Sequence, residues 1–214
     1  MSQSRPDLRV EYQFRDEGCA VIAGLDEAGR GAWAGPVAAG AVILPLERFD
    51  LIAALDGVRD SKLCTARQRT RLDGVIRDVA AGVGVGMADP SEIDAMGIAP
   101  ATRLAMRRAL EALPVKPDGL LIDYVRLREA ALPQKSFPKG EQISLSIAAA
   151  SIIAKVARDR RMVEVDQEYP DYGFARHKGY GTARHQQAID ELGPCPIHRL
   201  SFAPLRLRLN ATVP

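Results

Sequence analysis

Two hydrophobic patterns alternate along the chain: short continuous apolar runs broken by glycine-rich turns, and longer stretches in which apolar residues recur every three to four positions. The continuous runs are residues 19–26 (CAVIAGLD), 37–44 (VAAGAVIL), 81–87 and 119–123 (GLLID). Runs of this length bounded by turn formers read as buried strands. Only residues 27–36, with the turn-rich GRGAWAGP, separate the first two, so an antiparallel pair is expected there. The helical stretches are residues 65–79, with Thr65 as cap, a short start at Ser91 followed by Glu92 and Asp94, and residues 102–113, with Leu104, Ala105, Ala109 and Leu113 at helix-like spacing. Residues 144–168 form the longest, apolar first and heavily charged later. A last helix over 182–192 is stopped by Gly193-Pro194. The order, a strand cluster and then strands alternating with helices, predicts an α/β domain with a mixed sheet. No linker forces a boundary, so one domain over 1–214 is expected, its motif-bearing core at about 19–204.

Composition narrows this picture. With 214 residues, 47% hydrophobic and 26% charged, the chain can bury a core without staples. The balance of 29 basic and 27 acidic residues excludes an extreme polyanion-binding tail but leaves room for local basic surfaces. Cys19, Cys64 and Cys195 are odd in number and lack C-x-x-C spacing, which argues against a disulfide framework or a thiolate zinc site and fits a reducing cytoplasm. The first residues contain no apolar signal core, and the longest uncharged run, 31–46, falls short of the roughly 18 residues of a spanning helix. A cytoplasmic protein without membrane contact is expected.

Four acids stand where chemistry is possible. Asp26 and Glu27 close the first apolar run, Asp123 closes another, and Glu141 precedes the apolar start of the longest helix. Carboxylates converging on one sheet edge repel one another and are poorly solvated, but become favourable around a divalent cation. All-oxygen ligation suits magnesium or manganese, and two such ions about 4 Å apart activate a water and stabilise a leaving oxygen in phosphodiester displacement. Alone, Asp123 reads first as a turn former or helix cap. Adjacent strand residues face opposite sides, so Asp26 and Glu27 share a site only if the strand ends there, or if one acts through its carbonyl or a water.

Gly29-Arg30-Gly31 allows close backbone approach to a ligand, or is a plain tight turn. Residues 29–34 also fit the dinucleotide fingerprint G-x-G-x-x-A, with Asp50 about 20 residues on. Against that rival, Pro36 precedes an apparent strand rather than a helix, and two acids would sit beside the pyrophosphate. Basic residues cluster in the presumed loop 124–140 (Arg126, Arg128, Lys135, Lys139), after Ala154 (Lys155, Arg158, Arg160, Arg161), and near His177, His185 and His198 with Lys178, Arg184 and Arg199. These read as phosphate contacts or as solvated faces. Tyr180, between two glycines, is placed to stack on a sugar or base, or to fill a loop. The histidine spacings with Cys195 match no common zinc pattern. Ser151 reads as a small helix-packing residue.

GLDEAGRGAWAGPV (24–37) strongly resembles the signature of the ribonuclease HII family. DSK (60–62), LLID (120–123), KGEQISLSIAAASIIAKVARDRRM (139–162), HKGYGT (177–182) and PIHRLSF (196–202) follow in the family's order. The resemblance implies a ribonuclease H-like mixed sheet flanked by helices with a small C-terminal helical segment. It implies a metal-dependent endoribonuclease, using Mn2+ or Mg2+ and two ions during catalysis, that cleaves RNA paired to DNA and nicks 5′ of single ribonucleotides in duplex DNA, leaving 5′-phosphate and 3′-hydroxyl ends. Primer removal and ribonucleotide excision repair are the implied uses, and a monomer is expected. Asp26, Glu27, Asp123 and Glu141 correspond to the family's metal-binding carboxylates, Gly29, Arg30 and Gly31 to its backbone reader of the 2′-hydroxyl, and Tyr180 to its junction-sensing tyrosine. The resemblance also implies a phosphate contact for Lys62. Two departures stand out: Glu141 where aspartate is usual, and Tyr124 where glycine is common.

Overall fold

A computed structural model of the chain describes residues 5–211; the few residues at either end of the 1–214 span lie outside the described residues. Five strands form one mixed sheet in the order β3-β2-β1-β4-β5. They are β1 (Ile22–Ala28), β2 (Val37–Ile43), β3 (Gly82–Ala88), β4 (Gly119–Asp123) and β5 (Gln134–Phe137). β1, β2 and β3 pair antiparallel in succession, whereas β4 joins β1 parallel and β5 joins β4 parallel. The helices are α1 (Arg9–Asp16), α2 (Leu51–Ala54), α3 (Ala66–Val79), α4 (Pro90–Met96), α5 (Ile98–Glu111), α6 (Leu145–Glu168), α7 (Phe174–His177), α8 (Ala183–Leu192) and α9 (Ala203–Ala211). None of the described helices is long and apolar enough to cross a membrane.

α6 lies against one face of the sheet and α5 against the other. The first core joins α6 residues such as Ile147 and Ile152 to Leu121, Val42 and Leu72. The second joins α5 residues such as Ala105 and Met106 to Leu25, Ile43 and Ile122. The two faces follow the period of two along β1 and β4. α6 sits close because its contact points on the sheet lack side chains: a Cβ at Gly24 would strike the Ser146 backbone, and one at Gly40 the Ala150 carbonyl. A third cluster, with Met162, Phe174, Ile189 and Leu205, binds the C-terminal helices to the far half of α6.

Most expected elements appear where the pattern puts them. Thr65 forms a full capping box with Gln68 at α3, and the Ser144 hydroxyl accepts from Ile147 N–H at the start of α6. The first strand is shifted, beginning at Ile22 and continuing through Ala28. α5 begins four residues earlier than expected, and the short helix before it, α4, is capped by Asp89 rather than begun at Ser91. The presumed loop 124–140 contains β5, whose sequence QKSF is half-buried throughout at the sheet edge and carries no apolar alternation. The helix over 183–192 is not the last: α9 follows, its PLRLRL repeating with period two rather than 3.6. α1 carries no clear apolar signal because its buried positions include Glu11, whose Oε1 accepts from the Ser144 and Ser146 hydroxyls at 2.6 Å each while its Oε2 is buried without a partner among the described residues.

Candidate active site

The parallel register of β1 and β4 assembles the site. Leu25 lies beside Ile122 in the last paired position, so Asp26 and Asp123 follow as lateral neighbours. Neighbours in register share a sheet face. Asp26 shares its face with Gly24, which meets α6, and is only 6% exposed. The strand does not end at Glu27, because pairing with β2 continues to Ala28 opposite Ala38. Glu27 therefore takes the other face, where its Oε1 accepts from Arg30 Nη1 at 3.2 Å. The strand does not end between the two adjacent acids, so they stand on opposite faces of the sheet. Asp123 Oδ1 accepts from Gly140 N–H at 2.7 Å, which ties the 3-10 turn Gly140–Gln142 to the same edge and brings in Glu141, 5% exposed.

The charges of these groups are coupled. Burial first, then the Glu27 and Asp123 carboxylates, hold Asp26 well above its ordinary value, partly offset by the Ser151 hydroxyl and the Glu27 N–H. Burial raises Glu27 as well; Arg30 lowers it and Asp123 raises it. Glu141 is raised by burial and by Asp123 and Asp60, against its own backbone N–H and Lys62. Burial alone would lower Lys62, but Asp60, Asp26, Glu141 and Asp123 outweigh it and leave its pKa raised. The four sequence-predicted acids and Lys62 thus lie within one another's field, joined by Asp60, whose Oδ1 accepts from Lys62 N–H at 2.9 Å. Ser151 does more than pack: its hydroxyl donates to Ser61 Oγ at 2.9 Å while acting on Asp26.

The donor set fits a hard divalent cation. Glu27 Oε2 and Glu141 Oε2 are buried without a hydrogen-bond partner among the described residues, an arrangement costly for a carboxylate. Every nearby donor is oxygen, the ligand type of magnesium and manganese. The carboxylates are spread along the edge rather than closed on a point: among the described residues no three His, Cys, Asp or Glu side chains are arranged to hold an ion as they stand.

Beside the acids, the loop after β1 is braced from within. Gly29 has φ +91° and lies directly against the Arg158 guanidinium, leaving no space for a Cβ. Gly31 is exposed, with open space where a side chain would be. The loop does not open a helix but leads into β2, which removes the dinucleotide-binding geometry. Arg158 donates to Pro36 O (2.8 Å), Lys178 O (2.9 Å) and Ala34 O (3.1 Å). Arg199 donates to Gly35 O and Arg30 O, each at 2.9 Å. Trp33 and Ala34 N–H groups both donate to Gly179 O, at 2.8 and 3.2 Å. The glycine loop and the Tyr180 loop therefore form one braced unit. Tyr180 is 37% exposed, with the Arg158 guanidinium 5.4 Å from its ring centroid.

Several expected phosphate contacts are interior instead. Arg158 and Arg199 are fully buried, and Lys155 pairs with Asp159 at 2.6 Å; Arg160 stays exposed but pairs with the buried Asp73 at 3.0 Å. Position 158 falls on the apolar stripe Ala154, Met162, Val165 of α6, a spacing that marks it as inward-facing. The three histidines are buried too. Cys195 N–H donates to His198 Nδ1 (2.9 Å), His198 and His185 meet through their Nε2 atoms (3.0 Å), and His185 Nδ1 reaches Tyr180 O (3.1 Å). One set of neutral tautomers satisfies this chain, with Nε2–H on His198 and Nδ1–H on His185. Burial pushes His185 and His198 down to about 4. They support the Tyr180 loop from the interior.

A sequence model of the family described as Ribonuclease HII matches residues 23–205. Ribonuclease HII of Chloroflexus aurantiacus is 53% identical over 200 residues, spanning 94% of each chain. The crystal structure of ribonuclease H2 from Pyrococcus horikoshii superposes with a TM-score of 0.75 at 26% identity, covering 89% of this chain and 98% of that one. Bst-RNase HIII in complex with Mn2+ shares the fold at a TM-score of 0.69 and 21% identity, over 90% of this chain and 70% of that one.

Proposed function

The chain belongs to the ribonuclease HII family, hydrolytic endoribonucleases acting on RNA paired to DNA, and on that premise we propose that its carboxylate edge also nicks duplex DNA 5′ of a single embedded ribonucleotide. Divalent-metal dependence comes with the family; Mg2+ or Mn2+ as a pair is our assignment. Asp26, Glu27, Asp123 and Glu141 would hold the ions, which would supply water activation and stabilisation of the leaving 3′-oxygen, for 5′-phosphate and 3′-hydroxyl ends. The observation that carries this reading is the pair of buried, unpartnered carboxylate oxygens on Glu27 and Glu141 flanking Asp26 and Asp123.

The other residues bind and discriminate. A 2′-hydroxyl is the group that distinguishes RNA from DNA at one position. The peptide groups of Gly29, Arg30 and Gly31 reach it because Gly31 is open to solvent and Arg158 and Arg199 fix the loop from below. Tyr180 packs on the neighbouring sugar, held to the same unit through Gly179. Lys62, exposed at the site, meets a phosphate oxygen. No histidine base is used, since all three are interior.

The test is a duplex of DNA carrying one ribonucleotide, incubated with Mg2+ or Mn2+ and, in parallel, with chelator. Cation-dependent nicking 5′ of the ribonucleotide, with a ligatable 5′-phosphate, is the expected result. Cleavage of long hybrids with an intact single-ribonucleotide duplex would remove the finer proposal.

A further inference from the structure

Immediately after Asp123 the chain makes a left-handed turn at Tyr124, φ +55°, closed by Val125 N–H donating to Asp123 O at 2.5 Å. A bulky residue is rarely held there, and such strain gathers at functional positions. The turn throws the tyrosine ring outward, 68% exposed. It stands at an open pocket of about 430 Å³ whose lining also includes Arg30, Arg103, Arg126 and Arg128. Two of these cations are engaged: Arg30 with Glu27 at 3.2 Å and Arg103 with Glu129 at 3.4 Å. Arg126 and Arg128 are exposed and make no ion pair among the described residues. Arg30 belongs to the glycine loop as well, so the pocket is continuous with the active site.

We propose that Tyr124, Arg126 and Arg128 form a second phosphate grip, which holds the backbone of the duplex flanking the cleavage position on the Arg30 side. The inference rests on the ribonuclease reading above and deepens it. Two exposed guanidiniums suit adjacent phosphates, and a tyrosine hydroxyl donates to a phosphate oxygen. The grip carries no sequence information; it sets register and lengthens the footprint. In this chain a tyrosine supplies, at the cost of backbone strain, a contact that glycine would lack.

The experiment measures binding of the full chain in chelator to fluorescent duplex DNA with one ribonucleotide, against salt concentration. The probes are a long duplex and versions trimmed from either end. Arg126→Ala/Arg128→Ala should weaken binding of the long duplex and reduce the slope of log K against log salt by about 1.8, at about 0.9 per phosphate contact. It should leave binding unchanged on a probe trimmed past the pocket. Tyr124→Gly, which takes φ +55° without strain, should weaken the long duplex several-fold while keeping or raising Tm, and Tyr124→Phe should lose the part due to the hydroxyl. Unchanged slope and affinity in the double variant, or equal losses on long and trimmed duplexes, would overturn the grip. Wild-type nicking of the same duplex with Mn2+ is scored separately: if it nicks and the variants match it in binding, only the grip fails; if it neither nicks nor binds, both readings fail.

Discussion

Asp26 is surrounded by α6, Glu27 and Asp123, so its charge costs more here than in water. Asp26→Asn keeps the acceptor for Glu27 N–H, which now reaches Oδ1 at 2.7 Å, but removes a cation ligand. Cleavage should fall on the order of a hundredfold or more, because even outer partners of metal ligands cost 10–100-fold. Duplex binding should persist, and in chelator the variant should melt above the wild type. Unchanged turnover would contradict the role given to Asp26. Tyr180→Ala should damage cleavage at single ribonucleotides more than in long hybrids, compared as kcat/KM on the two substrates; equal losses would make the tyrosine a loop filler. At this scale the acids were legible because each follows or precedes an apolar run. Asp60 and Ser151 were less so: the first lies in a polar loop, the second inside a run of alanines and isoleucines, and only tertiary structure brings them to Asp26. Arg158 and Arg199 read from sequence as phosphate contacts or solvated charge, since sequence alone does not show the backbone carbonyls that a buried guanidinium donates to.

The element that fixes the site is α6, lying across β1 and β2 with no side chain between at Gly24 and Gly40. Gly40→Ala would push the Ala150 carbonyl and lift the helix from Asp26's own pairing partner. Overpacking of this kind costs about 1–3 kcal/mol. Denaturant melts should show that loss together with a drop in activity, whereas Gly74→Ala, on α3 with open space at its Cβ, should show neither. A Gly40→Ala protein as stable as the wild type would mean that the helix is not seated as described. Capped or strongly apolar elements were readable: Thr65, Ser144 and the VAAGAVIL run carry their own signals. The edge strand β5, α1 with its buried Glu11, and α9 with its period-two leucines were not. Their burial is decided by neighbours distant in the chain.

Over the whole molecule, the raised acids set how stability and cation binding vary with pH. The folded protein holds protons on Asp26, Glu27 and Glu141 more tightly than the unfolded chain. The metal-free contribution is therefore fullest below their ordinary values of 3.8 and 4.5 and declines as pH rises through the raised ones. His185 and His198 act in the opposite sense: their contribution is full above 6.5 and drains as pH falls towards about 4. Divalent cations need the acids ionised, so the rise in Tm produced by Mn2+ should be larger near about pH 8 than near about pH 6. An equal rise at both would place cation binding elsewhere. The α/β class, the mixed sheet and the family's motif order were visible in the chain, because they depend on local patterns; the braced union of the Gly29 and Tyr180 loops depends on contacts more than a hundred residues apart. The most direct measurement is anomalous diffraction from a crystal soaked in manganese. The account predicts Mn2+ peaks ligated by Asp26, Glu27, Asp123 and Glu141 at the edge shared by β1 and β4. Manganese bound only at other positions, with those four side chains unligated, would contradict it.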